Sequence, residues 1–504
     1  MSTDTKHTLY LSLSAGHWSL LNMLMQRGLV FGTFLVTARF LSPADFGVIA
    51  IAAITPALID GLTSVSFEAS LVQKPEGEER PYLDAAWTFG VLRAVLIFAV
   101  VWACAPFAAS YFHSEVGTLV FRLSGLTVLF QGLVNVGQIY FFREIQFRKV
   151  FLRDLAFHLT ATTLSILGAI LFRSYWALFG ATAIATLASS LATYRLSSYR
   201  PSFDFHLRKL LPLVNYTKWM FGQGMVNQIS RTLEDTLVAR YSPAAAVGLF
   251  TKAKGLANAP TAPLVSLINK ISFSAYSRVQ ESLDHVRGGF YRSFDMLFVV
   301  ALPYLVAISI AGHRIVSILL GDAWVGITGV LTVLTFAATI DILTTTLSIP
   351  IMNALGVPRS QFFVSSLYTI TLLTSLIVLV PANGTSGAAM AMLVSSIITG
   401  IAAFATLRRL IDFRFRRLLA TIIPVGIATL IPVGIAVSAL EYPFFNQTSG
   451  FILLGALCIS LYGLVLILAD RLFQVGPWNT FTVIFSSFRG RLVDLKHKLR
   501  PNTE

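Results

Sequence analysis

Arg231, Glu234 and Asp235 stand at i, i+3 and i+4 inside a largely apolar stretch, the spacing that brings charged groups onto one side of a helix. Such a trio can serve as an ion pair, as a carboxylate site for a proton or cation, or as both. Eight further basic residues fall inside apolar stretches: Arg27, Arg93, Arg122, Lys218, Lys252, Lys254, Lys270 and Arg292. Asp60, Glu68, Asp295 and Asp341 are the further acidic ones. A guanidinium presents a planar fork of donors that fits phosphate oxygens in paired hydrogen bonds, whereas an ammonium acts as a point charge. A charge facing lipid at mid-bilayer costs about 2.5–3.5 kcal/mol, so nine such cations would cost ~25 kcal/mol, more than a typical domain's stability. These groups must therefore face the interior of a bundle or a wet cavity.

Position along each stretch separates them. Lys218, Lys270 and Arg292 lie within two turns of the expected interface and can snorkel to it. Arg27 sits near the middle of the first span, Arg93 about a third of the way into the third, and Arg231 well inside the seventh. These three are the leading cavity cations, with Arg122, Lys252 and Lys254 beside them. Lys252 and Lys254 fall on nearly opposite faces of a regular helix, so at most one points inward. Asp60, Glu68, Glu234, Asp235 and Asp341 are candidates for a carboxylate that couples to an ion.

The elements that must hold these residues are membrane helices. Apolar residues make up 55% of the chain and charged ones 12%, about half the charged share of soluble domains. Spans fall at about 17–41, 45–71, 84–112, 116–141, 154–172, 175–195, 213–240, 246–275, 289–313, 324–350, 360–381, 385–406, 418–439 and 449–470. No signal-peptide pattern precedes them, and the first span reads as retained. An even number puts both termini on one side. With the termini cytoplasmic, about 25 Lys and Arg lie in inner segments against about four at outer edges, which fixes the orientation. Cys104 and Cys458 read as buried, inert thiols in separate spans. The tail carries Trp478, Phe481, Phe485 and Phe488 beside Arg489, Arg491, Lys496 and Lys498, and reads either as an amphipathic inner-leaflet helix or as a solvated basic tail.

The charges repeat. All fifteen of these intramembrane charges lie in spans 1–4 and 7–10, while spans 5, 6 and 11–14 have none away from their end residues. Letters repeat as well: Ala38-Arg39-Phe40-Leu41-Ser42-Pro43 through Gly47 returns as Ala239-Arg240-Tyr241-Ser242-Pro243 through Gly248. Both copies join an odd span to an even one on the outer face, which makes the repeats parallel about an axis along the membrane normal. Each second helix carries mid-span proline, Pro56 in one copy and Pro260 with Pro263 in the other, fitting bent helices in a bundle that rocks. The expected organisation is an N-lobe over 1–200, a C-lobe over 201–410, a hairpin over 411–470 and a cytoplasmic tail over 471–504.

The segments ARFLSPADFGVIAIA, EASLVQ, DAAWTFGVLR and DTLVARYSPAAAVGLFTKAKGLANAPT resemble the polysaccharide transporter family. Its Wzx-type flippases belong to the multidrug/oligosaccharidyl-lipid/polysaccharide exporter superfamily, and the look is that of colanic-acid and succinoglycan exporters. Ser274 departs from the proline that many relatives carry there. The resemblance implies an all-α membrane protein with two six-helix lobes facing each other in a V and a C-terminal hairpin packed outside. It implies a substrate that is an undecaprenyl-diphosphate-linked oligosaccharide, flipped from the inner to the outer leaflet of the bacterial inner membrane. Cations in a cavity of low dielectric would stabilise that diphosphate. Gln26, Gln131, Asn135, Gln138, Gln223 and Asn227 would meet sugar hydroxyls or bond helix to helix.

Other classes fit less well. A multidrug exporter of the same superfamily binds organic cations and needs an acidic cavity, yet nine intramembrane cations face six acids here. A lipid II exporter belongs to another branch. A polysaccharide polymerase or ligase needs a large outer loop, and the loops here are short. The sequence has no GxxxxGK[ST], no HExxH and no Cys/His cluster, so neither ATP chemistry, a metal nor another cofactor is called for. The expected partners are the lipid-linked oligosaccharide, the membrane and a polymerase or export complex, with no nucleic acid.

Overall fold

The computed structural model describes residues 3–63, 80–112, 117–206, 210, 225, 228–266, 283–439 and 447–473. Glu68, Lys218, Lys270, Gln223, Asn227, Ser274 and the tail aromatics lie outside them. Among the described residues the chain is helical throughout, with no strand. The helices are α1 (Thr3–Thr37), α2 (Pro43–Thr63), α3 (Arg80–Tyr111), α4 (Thr118–Ser124), α5 (Leu126–Gly132), α6 (Ile139–Arg143), α7 (Phe147–Phe172) and α8 (Tyr175–Leu196). They continue as α9 (228–241), α10 (Ala244–Asn258), α11 (Leu283–Leu320), α12 (Thr328–Asp341), α13 (Leu347–Ala354), α14 (Pro358–Ile411), α15 (Phe415–Ala439) and α16 (Thr448–Phe473).

Among the described residues ten stretches of helix are long and apolar enough to cross a membrane, and a bent pair, Thr118–Gly132 with Val136–Arg143 at 61°, makes an eleventh. Helix α14 contains two of the predicted spans. Gly384 interrupts it with φ 53° and ψ −130°, a conformation that glycine tolerates because it has no Cβ. Helices α9 and α10 fall on the seventh and eighth predicted spans, so each of the fourteen predicted positions carries helix among its described residues. Faces left open to the surroundings are apolar: Phe107, Leu171 and Ile459 are each more than two-thirds exposed. Helices of this length with lipid-compatible faces make the chain a polytopic membrane protein. Cys104 sits on such a face rather than in the core expected for it, and Cys458 is half-buried; both are free thiols.

Local chemistry explains where the helices begin and end. Ser42 and Asp45 form a capping box before α2: the Ser42 amide and hydroxyl donate to Asp45 Oδ2 at 2.9 and 2.6 Å, and the Asp45 amide donates to Ser42 Oγ at 3.3 Å. Pro43 occupies the first helical position, where no N–H is missed. Asp45 Oδ1 also accepts the Tyr175 amide at 3.0 Å, so one carboxylate serves the starts of α2 and α8. The second copy of the repeat has alanine where Asp45 stands, and there the buried Ser242 hydroxyl has no partner.

The two copies also treat their prolines differently. Pro56 is accommodated inside α2, whereas α10 stops at Asn258 before Pro260. A proline at 260 brings no N–H to the Leu256 carbonyl, and the Tyr304 hydroxyl of α11 donates to that carbonyl at 2.7 Å. The same device recurs at Pro303, where the Tyr462 hydroxyl donates to the Val299 carbonyl at 2.7 Å. Removing that donor as Tyr462→Phe leaves a buried carbonyl short of a partner and is expected to cost about 1–3 kcal/mol. Thermal unfolding of the purified protein reads this directly, and an unchanged midpoint would refute it.

The chain divides into two compact units, each packed chiefly against itself. The first comprises Met1–Thr251 with Leu319–Trp324 and Val380–Thr385. The second comprises Lys252–Ile318, Val325–Leu379 and Ser386–Glu504.

In the first unit α1 packs along α7, and α7 along α8. Close approach of the last pair rests on small residues: a Cβ on Gly168 would lie 2.8 Å from Ala177 Cβ. Trp324 is fully buried, donates to the Ala38 carbonyl at 3.0 Å and sits edge-on against Phe34 and Phe46. In the second unit α11 forms the spine. Phe290, Phe294 and Leu297 pack with Leu407, Phe413 and Val425, joining the end of α14 and the α15–α16 hairpin to α11.

Candidate functional site

The predicted cavity cations Arg27, Arg93, Arg122 and Arg231 all belong to the first unit, and the structure treats them in two ways. Arg93 of α3 is held by the end of α2. Its guanidinium donates to Asp60 Oδ1 and to the Asp60 carbonyl, both at 2.6 Å, and to Thr63 Oγ1 at 3.1 Å. The Asp60 carboxylate is thereby the counter-ion of Arg93, with side chains 35% and 21% exposed, so water still reaches the pair. Arg122 of α4 lies over the Trp102 ring, 5.1 Å from its centroid, while its buried Nε has no hydrogen-bond partner.

Arg27 and Arg231 differ from both. Each side chain is exposed, and neither makes an ion pair among the described residues. Arg231 is exposed, whereas Glu234 is buried at 3% exposure and Asp235 is half-buried, and no ion pair joins Arg231 to either. Helix α9 is seated on the end of α2. Gln228 Nε2 donates to the Ala57 carbonyl at 3.1 Å and to Thr232 Oγ1 at 3.1 Å, and a Cβ on Gly61 would fall 2.0 Å from Gln228 Cγ. The last turns of α2 thus bring together Asp60, Arg93 and the helix that carries Arg231.

Lys252 and Lys254 of α10 belong to the second unit and are both half-buried, each with interaction partners. Asp341 closes α12 in the same unit. Its carboxylate accepts the Thr346 hydroxyl at 3.3 Å across a π-turn at Ile342–Thr346. Asp295 is fully buried, accepts the Thr421 hydroxyl at 2.5 Å and pairs with Arg417 at 3.4 Å, fastening α15 to α11.

Two polar networks escaped the sequence reading. Asp154 lies seven residues into α7, inside the helix that the periodicity starts at 154. It accepts Asn22 Nδ2 at 2.7 Å, Gln26 Nε2 at 3.0 Å and Arg153 Nη2 at 2.7 Å, and Arg153 Nη1 donates onward to Gln138 at 2.8 Å. Gln26 and Gln138 therefore bond helix to helix. The second network is centred on Asp84, which accepts the Tyr199 hydroxyl at 2.5 Å and the Ser202 amide at 2.8 Å and hydroxyl at 2.9 Å. It fastens the segment after α8 to the start of α3. Its signal was weak because Asp84 stands at a span end, where a carboxylate is unremarkable.

At the end of α2 nearest Ser42, the repeat becomes visible in three dimensions. A Cβ on Gly47 would fall 1.7 Å from the Ala244 carbonyl oxygen, and a Cβ on Gly248 would fall 1.9 Å from the Pro43 carbonyl oxygen. Gly47 and Gly248 are matching positions of the two copies, and each glycine meets the first residue of the other copy's helix, Ala244 of α10 or Pro43 of α2, so the contact is close to reciprocal.

The family model described as "Polysaccharide biosynthesis protein" matches residues 36–329, a stretch that includes both copies of this repeat. The chain belongs to that family. It is 22% identical over 335 residues to the lipopolysaccharide biosynthesis protein WzxC of Escherichia coli, a match covering 64% of this chain and 66% of that one. It is 22% identical over 307 residues to the succinoglycan biosynthesis transport protein ExoT of Rhizobium meliloti, covering 61% and 62%. The matched stretch thus spans less than two-thirds of the length of each of these relatives. Among solved structures, the lipid II flippase MurJ in an inward closed conformation superposes with a TM-score of 0.74 at 13% identity, covering 90% of this chain and 98% of that one. An inward-facing multidrug resistance transporter of the MATE family superposes at 0.59 and 12% identity, covering 79% and 98%. These likenesses establish the fold: an all-helical, two-lobed architecture shared with these membrane proteins.

Proposed function

We propose that this chain is a flippase, not an enzyme, and that it moves undecaprenyl-diphosphate-linked oligosaccharides from the inner to the outer leaflet of a bacterial inner membrane. The repeat units would serve exopolysaccharide, capsule or O-antigen export, with both termini cytoplasmic and a polymerase or export complex receiving the product. The N-lobe of this reading covers 1–200 and the C-lobe 201–410, followed by the 411–470 hairpin and the tail over 471–504.

One observation carries the reading. Arg27 and Arg231 lie within membrane helices yet keep exposed guanidiniums with no ion pair among the described residues. An unneutralised cation at that depth needs an anion or water. A diphosphate headgroup supplies about two negative charges and oxygens in the geometry that guanidinium forks accept. The polyprenyl tail would remain in lipid while the headgroup crosses. The functions named for the relatives, lipopolysaccharide biosynthesis and succinoglycan transport, support a glycolipid substrate.

Alternating access would require the outer ends of the two lobes to meet and part. The Gly47–Ala244 and Gly248–Pro43 contacts lie at the end that the Lys and Arg bias places outside, and they would form that closure. The test uses the purified full-length chain in proteoliposomes with a fluorescent undecaprenyl-diphosphate oligosaccharide. A membrane-impermeant quencher should reach the inner-leaflet label faster than in protein-free liposomes. No acceleration would reject the proposal, and efflux of a cationic dye would favour the multidrug reading instead.

A further inference from the structure

The segment after α8 runs from Ser197 to His206 without regular helix, at the end that the Lys and Arg bias places in the cytoplasm. It folds back onto α3. The Asp204 amide donates to Thr88 Oγ1 at 2.9 Å, and the Ser202 amide and hydroxyl donate to the Asp84 carboxylate at 2.8 and 2.9 Å. Asp84 and Thr88 are both buried and stand in the first two turns of the membrane-crossing stretch Tyr82–Tyr111. The Asn135 side-chain amide donates to the Tyr199 carbonyl at 2.8 Å and fixes the start of the segment. Residues 202–206 are therefore held level with the inner end of a membrane helix, where headgroups meet hydrocarbon.

Ser202 and Asp204 bond to α3, and the residues alternating with them, Phe203 and Phe205, are left 60% and 68% exposed. Phe203 leans on Trp87 with 4.9 Å between ring centroids, and Trp87 is fixed in turn by donating to the Tyr194 hydroxyl at 3.1 Å. Phe205 lies beside Phe203, the ring planes 8° apart and the centroids 6.0 Å apart. Two rings so open to water forfeit the burial that ordinarily stabilises phenylalanine, and a fixed aromatic pair at this depth marks a membrane contact.

The charge that flanks the rings is basic. Ile184 and Leu191 of α8, 52% and 56% exposed, form an apolar stripe whose cytoplasmic end is Arg195. Arg195 is exposed and makes no ion pair among the described residues. Arg200 is exposed as well, and its guanidinium is steadied by donating to the Ser197 and Tyr199 carbonyls at 2.6 and 3.0 Å. The neighbouring acids are already engaged, Asp84 by Ser202 and Tyr199, and Asp204 by the amide and ring of His206 at 2.9 and 2.7 Å.

We propose that Phe203, Phe205, Arg195 and Arg200 form a site for an anionic phospholipid of the inner leaflet. The rings enter the boundary between headgroups and acyl chains, and the guanidiniums meet the phosphate beside them. A zwitterionic lipid carries a phosphate too, but its ammonium cancels the net charge that draws basic residues to the surface. A soluble protein partner fits less well, because the rings are pinned level with a membrane helix instead of standing clear of it. The site concerns the surrounding membrane, not the transported molecule, and stands whether or not the flippase reading does.

The experiment places the full-length chain in phosphatidylcholine nanodiscs containing increasing phosphatidylglycerol. Cys104 and Cys458 are replaced by serine, and His206→Cys, at a side chain 83% exposed, carries an environment-sensitive dye. Phosphatidylglycerol should shift the emission to the blue saturably. Arg195→Gln should raise the half-saturating mole fraction about fivefold, the effect of removing one basic group beside an anionic surface. Phe203→Ala together with Phe205→Ala should abolish the shift. Emission indifferent to phosphatidylglycerol, or a shift unaltered in both variants, would overturn the proposal. Should the double phenylalanine variant not fold, Arg195→Gln decides, since an exposed side chain without an ion pair can be changed at little cost to the fold; an unmoved half-saturation then overturns it. A dye that stays water-exposed in both lipids would also overturn it and leave the rings to a protein partner.

Discussion

Replacing Arg27 and Arg231 together by glutamine should reduce flipping of the labelled diphosphate lipid by about a hundredfold or more, with insertion and thermal midpoint unchanged. A hydrogen bond to a charged partner contributes about 1.5–3 kcal/mol, so two guanidiniums contribute about 3–6 kcal/mol, or roughly 10²- to 10⁴-fold. Stability should be untouched because neither guanidinium makes an ion pair among the described residues. Arg93→Gln behaves differently. It strips Asp60 of its counter-ion and Thr63 of its donor, so it should lower the midpoint as well as the rate. Adding Asp60→Asn should recover the midpoint without recovering transport. Flipping at the wild-type rate by the Arg27 and Arg231 double variant would remove the basis of the proposed function.

The second large effect belongs to two residues with no side chain. Gly47→Ala places a methyl group 1.7 Å from the Ala244 carbonyl oxygen, and the helices must separate by about 1.5 Å or more to restore contact distance. Flexible side chains cannot absorb the overlap because the obstructing atom is backbone. Forced overpacking costs about 1–3 kcal/mol, which predicts a ten- to hundredfold fall in flipping if this contact must close during each cycle. Gly248→Ala meets the Pro43 carbonyl at 1.9 Å and should reproduce the defect. The double variant should be little worse than either single one, since both act on one interface. A thiol reporter distinguishes loss of closure from loss of folding. With both native cysteines replaced by serine, Phe46→Cys should be protected from an impermeant reagent in the parent and reactive beside Gly47→Ala, because Phe46 is only 6% exposed. A protected thiol with normal flipping in the Gly47→Ala background would show that the contact need not close.

The prolines mark the limit of what patterns along the chain reveal. Pro56 and Pro260 both fall mid-span in the second helix of their copies and predict a bend in each. Yet one lies inside a continuous helix while the other ends its helix, with the freed Leu256 carbonyl satisfied by Tyr304. That donor stands 48 positions away, so no local window contains it. Gln26 and Gln138 show the same limit. Their presence in spans was evident, and their engagement with Asp154 and Arg153 was not, because it depends on how α1 and α7 are rotated.

Hydropathy, spacing and charge placed the helices, the orientation expected for them, the parallel repeat and the roster of intramembrane charges. These are properties of single helices in a bilayer and are fixed by local residue type, since a buried charge or an apolar run of about 20 residues carries its energy wherever the helix is placed. Tertiary structure alone decided which charges are neutralised. It paired Arg93 with Asp60, laid Arg122 over Trp102, left Arg27 and Arg231 exposed, and set Asp341 beside a π-turn against Gly400. A partner on another helix is chosen by the rotation and close approach of two packed surfaces, and neither is written in the period of one helix.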